Sequence, residues 1–400
     1  MTTLPVSVRP STRLANLEGY AFDLVRRRVD ALRDQGIEPI DFGVGDPTVP
    51  TPAFIRDRLK TAVDERAASG YPAYQGDPAF RRAAAAWMQG RFGVRVDPDR
   101  EICATIGSKE AVFNVHEGLL DPGDEILVPS PGYPPYKRGA LFAEGRPVFY
   151  PLRRESGFLP DLDAIDAGVA DRARAIWVCY PNSPTGAVAD RAYYERLLEK
   201  AARHGWVVLS DEAYSEIYYG PDGDPPPSIL EVQREGVLAF FSLSKRSAMT
   251  GWRIGWVAGD EALIDIFRRV KTNVDSGTPT FIQDAAVAAL ADETHVRAFR
   301  ADYRAKRDVL VAGLGAAGLE DCTPAAALYV WQRAPEGLSG VDFAARLLEP
   351  DVAVVATPGE WISDLCPGGE NPGAGYVRFA LVPPLADVKR AASRIAGLSL

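Results

Sequence analysis

The stretch VLAFFSLSKRSAMTGWRIGWVAG, Val237 to Gly259, decides the fold. It opens on an apolar run, Val237 to Leu243, and closes on another, Ile254 to Gly259. Runs of this length, free of polar alternation and bounded by turn residues, read as strands buried on both faces. Ser244 and Lys245 stand where the first run ends. A lysine at that point is partly desolvated, which lowers its pKa and frees its amine as a nucleophile. Around it in sequence lie Arg253 and the hydroxyls of Ser242, Ser244 and Thr250. A planar guanidinium and short hydroxyl donors suit a phosphate.

Working upstream, the same design recurs. EILV (Glu125 to Val128), AIWVCY (Ala175 to Tyr180) and WVVLS (Trp206 to Ser210) read as further strands. Helical spacing marks Tyr20 to Gln35, Ala79 to Arg91, Lys109 to Leu120, Arg191 to His204, Glu261 to Asn273 and Gln283 to Leu290. Strands alternating with helices predict an α/β unit with parallel strands. Such sheets bind ligands just beyond the carboxyl ends of their strands. Ala175 to Tyr180 runs into Asn182 and Ser183; Trp206 to Ser210 runs into Asp211 and Tyr214. With Lys245 these residues are expected around one crevice. Each alone reads as turn chemistry or a solvated charge; three strand ends in succession with complementary chemistry do not. Gly107-Ser108-Lys109 follows a short strand and opens a helix, a place where free backbone N–H groups meet an anion.

Beyond Leu290 the pattern changes. Helical stretches at Val296 to Gly313, Val341 to Leu348 and Leu385 to Ile395 separate short strands, AALYVWQ and YVRFAL, and predict a smaller α+β domain. The expected division is an N-terminal arm and helix over 1–45 contributing to the small domain, a large domain over 46–285, and a small C-terminal domain over 286–400. The chain has 400 residues, long enough for this, with 46% apolar and 25% charged residues. Its 45 Lys and Arg against 54 Asp and Glu leave a net charge of -9. That sign disfavours a bulk nucleic-acid partner and an anionic membrane surface. The 4 Cys and 3 His show neither disulfide nor metal-finger spacing, so a reducing compartment without a metal site is expected. Met1 to Asn16 has no apolar core of the kind a signal peptide needs, and no run approaches a membrane span. The expectation is a cytoplasmic protein.

A Schiff-base lysine, a carboxylate for a pyridinium nitrogen and a phosphate cradle are what pyridoxal 5′-phosphate requires. At these residues the chain resembles the fold-type I, class I/II PLP-dependent aminotransferases over nearly its whole length. Carrying the resemblance are DFGVGDPTVPTP (Asp41 to Pro52), YPAYQG (Tyr71 to Gly76), GSKEAVFN (Gly107 to Asn114), DPGDEILVPSPGYPPY (Asp121 to Tyr136), YPNSPTG (Tyr180 to Gly186), SDEAYSEI (Ser210 to Ile217), SLSKRSAMTGWRIGW (Ser242 to Trp256) and VRF around Arg378. The fold it implies is a mostly parallel central sheet flanked by helices, with a smaller α+β domain.

The resemblance also implies roles. Lys245 matches the Schiff-base lysine that moves the proton, Asp211 the partner of the pyridinium nitrogen, and Tyr214 the hydrogen-bond partner of the ring 3′-oxygen. Tyr133 matches the ring that stacks on the cofactor. Gly107, Ser108, Lys109, Ser242, Ser244 and Arg253 match the phosphate cup, with Ser244 and the Lys109 side chain its outlying members. Tyr71 matches a tyrosine that reaches the phosphate of the neighbouring subunit, which implies a homodimer with shared sites. Arg378 matches the arginine that grips the substrate carboxylate, and Gly45 a backbone contact beside it. Where the family places Asn before Pro-Thr-Gly, this chain has Ser183, with Asn182 one residue earlier; the Ser183 hydroxyl, a rotated Asn182 or a bridging water could supply the contact to cofactor and substrate. Arg246 adds an unusual cation next to Lys245.

Within the family the chain is most similar to the bacterial-type LL-diaminopimelate aminotransferases. GFLPDLDAI (Gly157 to Ile165) and VKTNVDSG (Val270 to Gly277) are the most telling, because no cofactor chemistry demands them. This implies a ping-pong amino transfer of the LL-diaminopimelate/2-oxoglutarate type and a place in lysine biosynthesis. Alternatives are a broad-specificity aspartate, alanine or aromatic aminotransferase and a PLP β-lyase of the same fold. Glu212 departs from the Ala expected at that position in the subfamily. A regulator on this fold would need a DNA-binding domain, for which the stretch ahead of Gly43 is too short.

Overall fold

The computed structural model describes residues 8–15, 17, 22–47, 49–220 and 224–398. Among them twelve strands form: β1 (Ile40–Asp41), β2 (Ile102–Thr105), β3 (Glu125–Ser130), β4 (Arg146–Pro151), β5 (Ala173–Cys179), β6 (Val207–Asp211), β7 (Val237–Ser242), β8 (Gly255–Gly259), β9 (Tyr329–Arg333), β10 (Val354–Val355), β11 (Thr357–Pro358) and β12 (Tyr376–Ala380). Seven build the central sheet, in the order β2-β8-β7-β6-β5-β3-β4. The neighbours from β7 through to β4 pair in parallel, so their carboxyl ends share one edge. Every residue of β3, β7 and β8 is buried, as their uninterrupted apolar runs require.

β8 departs from the expected parallel sheet. It runs antiparallel to both β7 and β2. The cause is its connection. Between β7 and β8 the chain holds only the short helix Leu243–Arg246 and a 3₁₀ turn, Thr250–Trp252. A parallel return needs a crossover helix packed across a sheet face, and this link is too short to supply one.

Most expected helices form close to their predicted bounds, among them Arg191–His204, Glu261–Val274, Thr280–Leu290 and Leu385–Ala396. The predicted helix over Lys109 to Leu120 is two pieces, Ser108–Asn114 and His116–Leu119. Here His116 Nε2 accepts from the Trp177 indole at 2.9 Å, and burial pushes its pKa down to about 4. The helix predicted from Tyr20 is described from Phe22 to Asp34; Tyr20 itself lies outside the described residues, as does much of the expected arm. Within that arm Arg13 pairs with Glu144 of the same chain. Among the described residues no helix is long and apolar enough to cross a membrane.

Two apolar cores cover the faces of the central sheet. One gathers Phe80, Trp87, Phe241 and Trp256, with Phe241 and Trp256 stacked at 5.0 Å. The other gathers Tyr136, Trp177, Phe240 and Phe267. A further core joins Ile40 and Phe42 to Tyr303, Leu310, Phe343, Phe379 and Val388. The early segment therefore packs with the late one, through β1 on β10 and around the antiparallel sheet β11-β12-β9.

Candidate active site

Three parallel strands deliver the site at their carboxyl ends. β6 ends on Asp211, β7 on Ser242, and β5 runs on through Tyr180 to the turn holding Asn182 and Ser183. Asp211 is 5% exposed and 2.8 Å from the hydroxyl of Tyr136, which donates to its Oδ2. The backbone N–H of Ala213 donates to its other oxygen at 3.2 Å. Burial is the dominant influence and pushes the Asp211 pKa up to about 6; both hydrogen bonds oppose it by favouring the charged form. A cationic ring nitrogen placed against this carboxylate would hold it ionised.

Lys245 lies in the short helix after β7, and its Nζ donates to the carbonyl of Gly45 at 2.5 Å. Burial lowers its pKa, with the cations Arg253 and Arg378 adding to that effect. Its amine is therefore nearer to the neutral, nucleophilic form than a solvated lysine. Gly43 and Gly45 belong to one loop: Arg378 Nη2 donates to Gly43 O at 2.8 Å. That loop thus anchors the lysine and the arginine side by side. Nε of Arg378 is buried without a hydrogen-bond partner among the described residues. An arginine held on one side and unpaired on another suits a planar anion.

The proposed phosphate cup also assembles. Gly107 approaches Arg253 so closely that a Cβ there would lie 2.2 Å from Nη2, and its φ is +68°. Only glycine fits both conditions. Arg253 itself has φ 57°, a left-handed conformation that costs a side-chain-bearing residue energy. Its Nη1 bonds Thr250 O at 2.7 Å, which points the fork at the start of helix Ser108–Asn114. Ser242 Oγ accepts from Ser244 N at 3.1 Å, and both serines are buried. Ser108 is half-buried, whereas the Lys109 side chain is exposed. A guanidinium, short hydroxyls and backbone N–H groups at a helix start are donors that fit a phosphate, and the half-buried lysine and buried carboxylate fit the aldehyde and ring nitrogen of pyridoxal 5′-phosphate.

The remaining expected residues divide. Tyr133 precedes helix Pro134–Phe142, is 36% exposed and meets Tyr136 edge-on at 5.7 Å. Tyr214 stands within 2.9 Å of the Tyr329 hydroxyl, and burial raises its phenol pKa. Tyr71 stands apart at 93% exposure. Asn182, expected beside Ser183 as a cofactor contact, is turned into its own loop. Its amide nitrogen donates to Cys179 O, and its Oδ1 accepts from the Thr185 N–H and hydroxyl. Ser183 is the half-buried member of the pair. Arg246 points neither to solvent nor to Lys245. It is 3% exposed and bonded to Ala289 O, Ser247 and Glu293, over the Trp87 ring.

Sequence reasoning missed three contributors. Tyr136 holds Asp211; Tyr329 meets Tyr214; buried Lys271 pairs with Glu110 and Asp275. Glu110 in turn accepts from Ile106 N at 3.1 Å, so Lys271 steadies the backbone entering the Gly107 turn. Lys271 had a signal: it falls on the buried face with Leu263, Ile264 and Phe267, where a lysine demands a partner. The tyrosines had none, because a buried phenol reads as core.

A family model described as aminotransferase class I and II matches residues 37–395. LL-diaminopimelate aminotransferase 2 of Trichormus variabilis is 42% identical over 373 residues, covering 92% of this chain and 93% of the relative. LL-diaminopimelate aminotransferase of Aquifex aeolicus is 40% identical, covering 98% and 99%. Among solved structures, substrate-bound BacF from Bacillus subtilis aligns with TM-score 0.88 at 31% identity over 98% of each chain. A single mutant of Thermus thermophilus aspartate aminotransferase also aligns at 0.88, with 30% identity over 98% and 99%. A half-buried lysine just past a strand end, a buried carboxylate and a set of anion donors on a mostly parallel sheet, with this likeness along nearly the whole chain, place the protein among the pyridoxal 5′-phosphate-dependent class I and II aminotransferases.

Proposed function

We propose that this aminotransferase moves an amino group from LL-diaminopimelate to 2-oxoglutarate, or the reverse, by a ping-pong mechanism. Supporting it is the roughly 40% identity to relatives of that name along nearly all of the chain, against 30% for the aspartate aminotransferase structure. The proposed site lies mostly within residues 46–285, with Gly45 and Arg378 brought in from a smaller unit made of 1–45 and 286–400.

Pyridoxal 5′-phosphate supplies an electron sink for the pair left on the substrate α-carbon. The protein does the rest. Asp211, held by Tyr136, stays ionised and keeps the ring nitrogen protonated. Lys245 would hold the cofactor through Nζ and, once displaced by the incoming amine of the donor, would be the base that takes the substrate α-proton and the acid that returns it. Tyr214 fixes the ring 3′-oxygen, and Tyr133 stacks on the ring. Gly107, Ser108, Ser242, Ser244 and Arg253 hold the phosphate. Arg378 grips the α-carboxylate bidentately beside the backbone of Gly45. Ser183 takes the contact that an asparagine makes elsewhere in the family. Tyr71 serves the site of a second copy, so the working unit is a homodimer, and the cytoplasm is its proposed location.

Stopped-flow half-reactions over a panel of amino donors test this. LL-Diaminopimelate is expected to give the highest kcat/KM. A higher value for aspartate, alanine or an aromatic donor would replace this substrate with a broad one. Release of ammonia and a keto acid in place of half-transamination would mark a lyase. Lys245→Ala is expected to lose the cofactor's covalent absorbance band and at least about a hundredfold in rate.

A further inference from the structure

Tyr329 opens β9, is 4% exposed, and meets two of the residues expected in the site, Tyr214 and Arg378. Its hydroxyl lies 2.9 Å from that of Tyr214, with the two rings near-perpendicular at 5.7 Å. Its ring face lies 4.8 Å from the Arg378 guanidinium carbon. The register explains this. Tyr329 pairs with Ala380 on β12, so Arg378 is its diagonal neighbour on the same face. The Gly45 backbone passes so near that a Cβ there would lie 2.1 Å from the Tyr329 hydroxyl. Gly45 O in turn receives the amine of Lys245.

We propose that Tyr329 is a positioning residue joining the cofactor-tuning phenol to the carboxylate grip. The proposal rests on the roles assigned above to Tyr214 and Arg378. Tyr214 has one hydroxyl proton. If that proton goes to the cofactor's 3′-oxygen, Tyr214 must accept from Tyr329, and a phenol that accepts one hydrogen bond donates the next more strongly. The Tyr329 ring meanwhile occupies one face of the Arg378 guanidinium and leaves its edge for a carboxylate. One side chain therefore orients two groups that act at opposite ends of the reacting centre, through different atoms.

The two contacts can be removed separately in the holoenzyme. Tyr329→Phe deletes the hydroxyl and keeps the ring; Tyr329→Leu deletes both. The readouts are the pH midpoint of the bound cofactor's visible absorbance and the KM for amino donors in half-reactions. Tyr329→Phe is expected to shift the midpoint in the same direction as Tyr214→Phe, by less, and to add nothing in the Tyr214→Phe background. Its KM values stay within about twofold. Tyr329→Leu is expected to show the same midpoint shift and to raise KM about tenfold for every donor, the change a partly desolvated cation–π contact commands. The proposal is overturned by a midpoint that moves in Tyr214→Phe but not in Tyr329→Phe, by shifts that simply add in the double variant, or by an unchanged KM in Tyr329→Leu. A midpoint unmoved by Tyr214→Phe itself is a different failure: it removes Tyr214 from the cofactor, and the coupling with it. Tyr329→Phe preserves the volume of the core, so the test stands even if the leucine variant fails to fold.

Discussion

The hydroxyl of Tyr136 lies 2.8 Å from Oδ2 of Asp211, inside a core where both side chains are buried. Asp211 has two opposing influences on it: burial, which pushes its pKa up to about 6, and hydrogen bonds that favour the charged form. Tyr136 supplies one of those bonds, and its ring stacks on Trp177 at 4.5 Å, which fixes its aim. Tyr136→Phe keeps the stack and removes the bond. The Asp211 pKa then rises further, because its charged form loses a donor. The acidic limb of the rate–pH profile is expected to move to higher pH. Cofactor affinity should fall about tenfold to a hundredfold, the scale of a hydrogen bond to a charged group. An acidic limb that stays in place would detach Tyr136 from the electronics of the site.

Arg378 carries a second prediction. Its Nη2 is held by Gly43 O, and its Nε is buried with no partner among the described residues. Arg378→Ala should raise KM for every amino donor by the equivalent of roughly 2–5 kcal/mol, whatever the distal side chain, because only the shared α-carboxylate is lost. Arg378→Lys should recover little, since an ammonium cannot form the planar fork. A loss confined to one class of donor would move Arg378 from the common grip to the specificity end.

The pair Asn182 and Ser183 separates structure from chemistry. The carboxamide of Asn182 ties Cys179 O to Thr185 within the turn. Asn182→Ala should lower the melting temperature, since it leaves buried backbone groups unpaired at about 1–3 kcal/mol. Ser183→Asn adds a carboxamide at the half-buried position and is expected to retain transamination in the half-reaction assay. Complete loss of activity in Ser183→Asn would show that the serine hydroxyl does something a carboxamide cannot.

The strand ends were legible because each couples an apolar run to a reactive residue. Asn182, Ser183, Asp211, Tyr214 and Lys245 could be placed around one crevice from that pattern alone, whereas the Gly107 turn offered only a helix start. The antiparallel course of β8 was not legible, because an apolar run carries no direction; only the short link through Lys245 and Arg253 sets it. The fate of Arg246 was hidden for a related reason. Its partners Glu293 and Ala289 lie more than forty residues downstream, on elements that the sequence does not reveal as neighbours. Tyr136 and Tyr329 were invisible as site residues because they face the site from positions that also bury a ring. Tyr71 remains outside the reach of a single chain, whose packing leaves it exposed.

Glu212, next to Asp211, carries the last prediction. It is 1% exposed, its Oε1 accepts from Ser210 and from Ile229 N, and its Oε2 has no partner among the described residues. Burial pushes its pKa up to about 7, from an ordinary 4.5. A carboxyl group whose folded pKa is raised holds a proton that the unfolded chain releases. Its contribution to stability is therefore complete below about pH 4.5 and is lost as the pH rises through 7. Glu212→Gln keeps an acceptor at Oε1 and abolishes the titration. The variant should melt close to wild type near pH 4.5 and above it at pH 8, by up to about 3 kcal/mol from this group. Melting temperatures of both proteins across pH 4 to 8, at saturating cofactor, would show the two curves diverging upward in pH. Parallel curves would mean that Glu212 is ionised in the fold throughout, with its second oxygen paired by water.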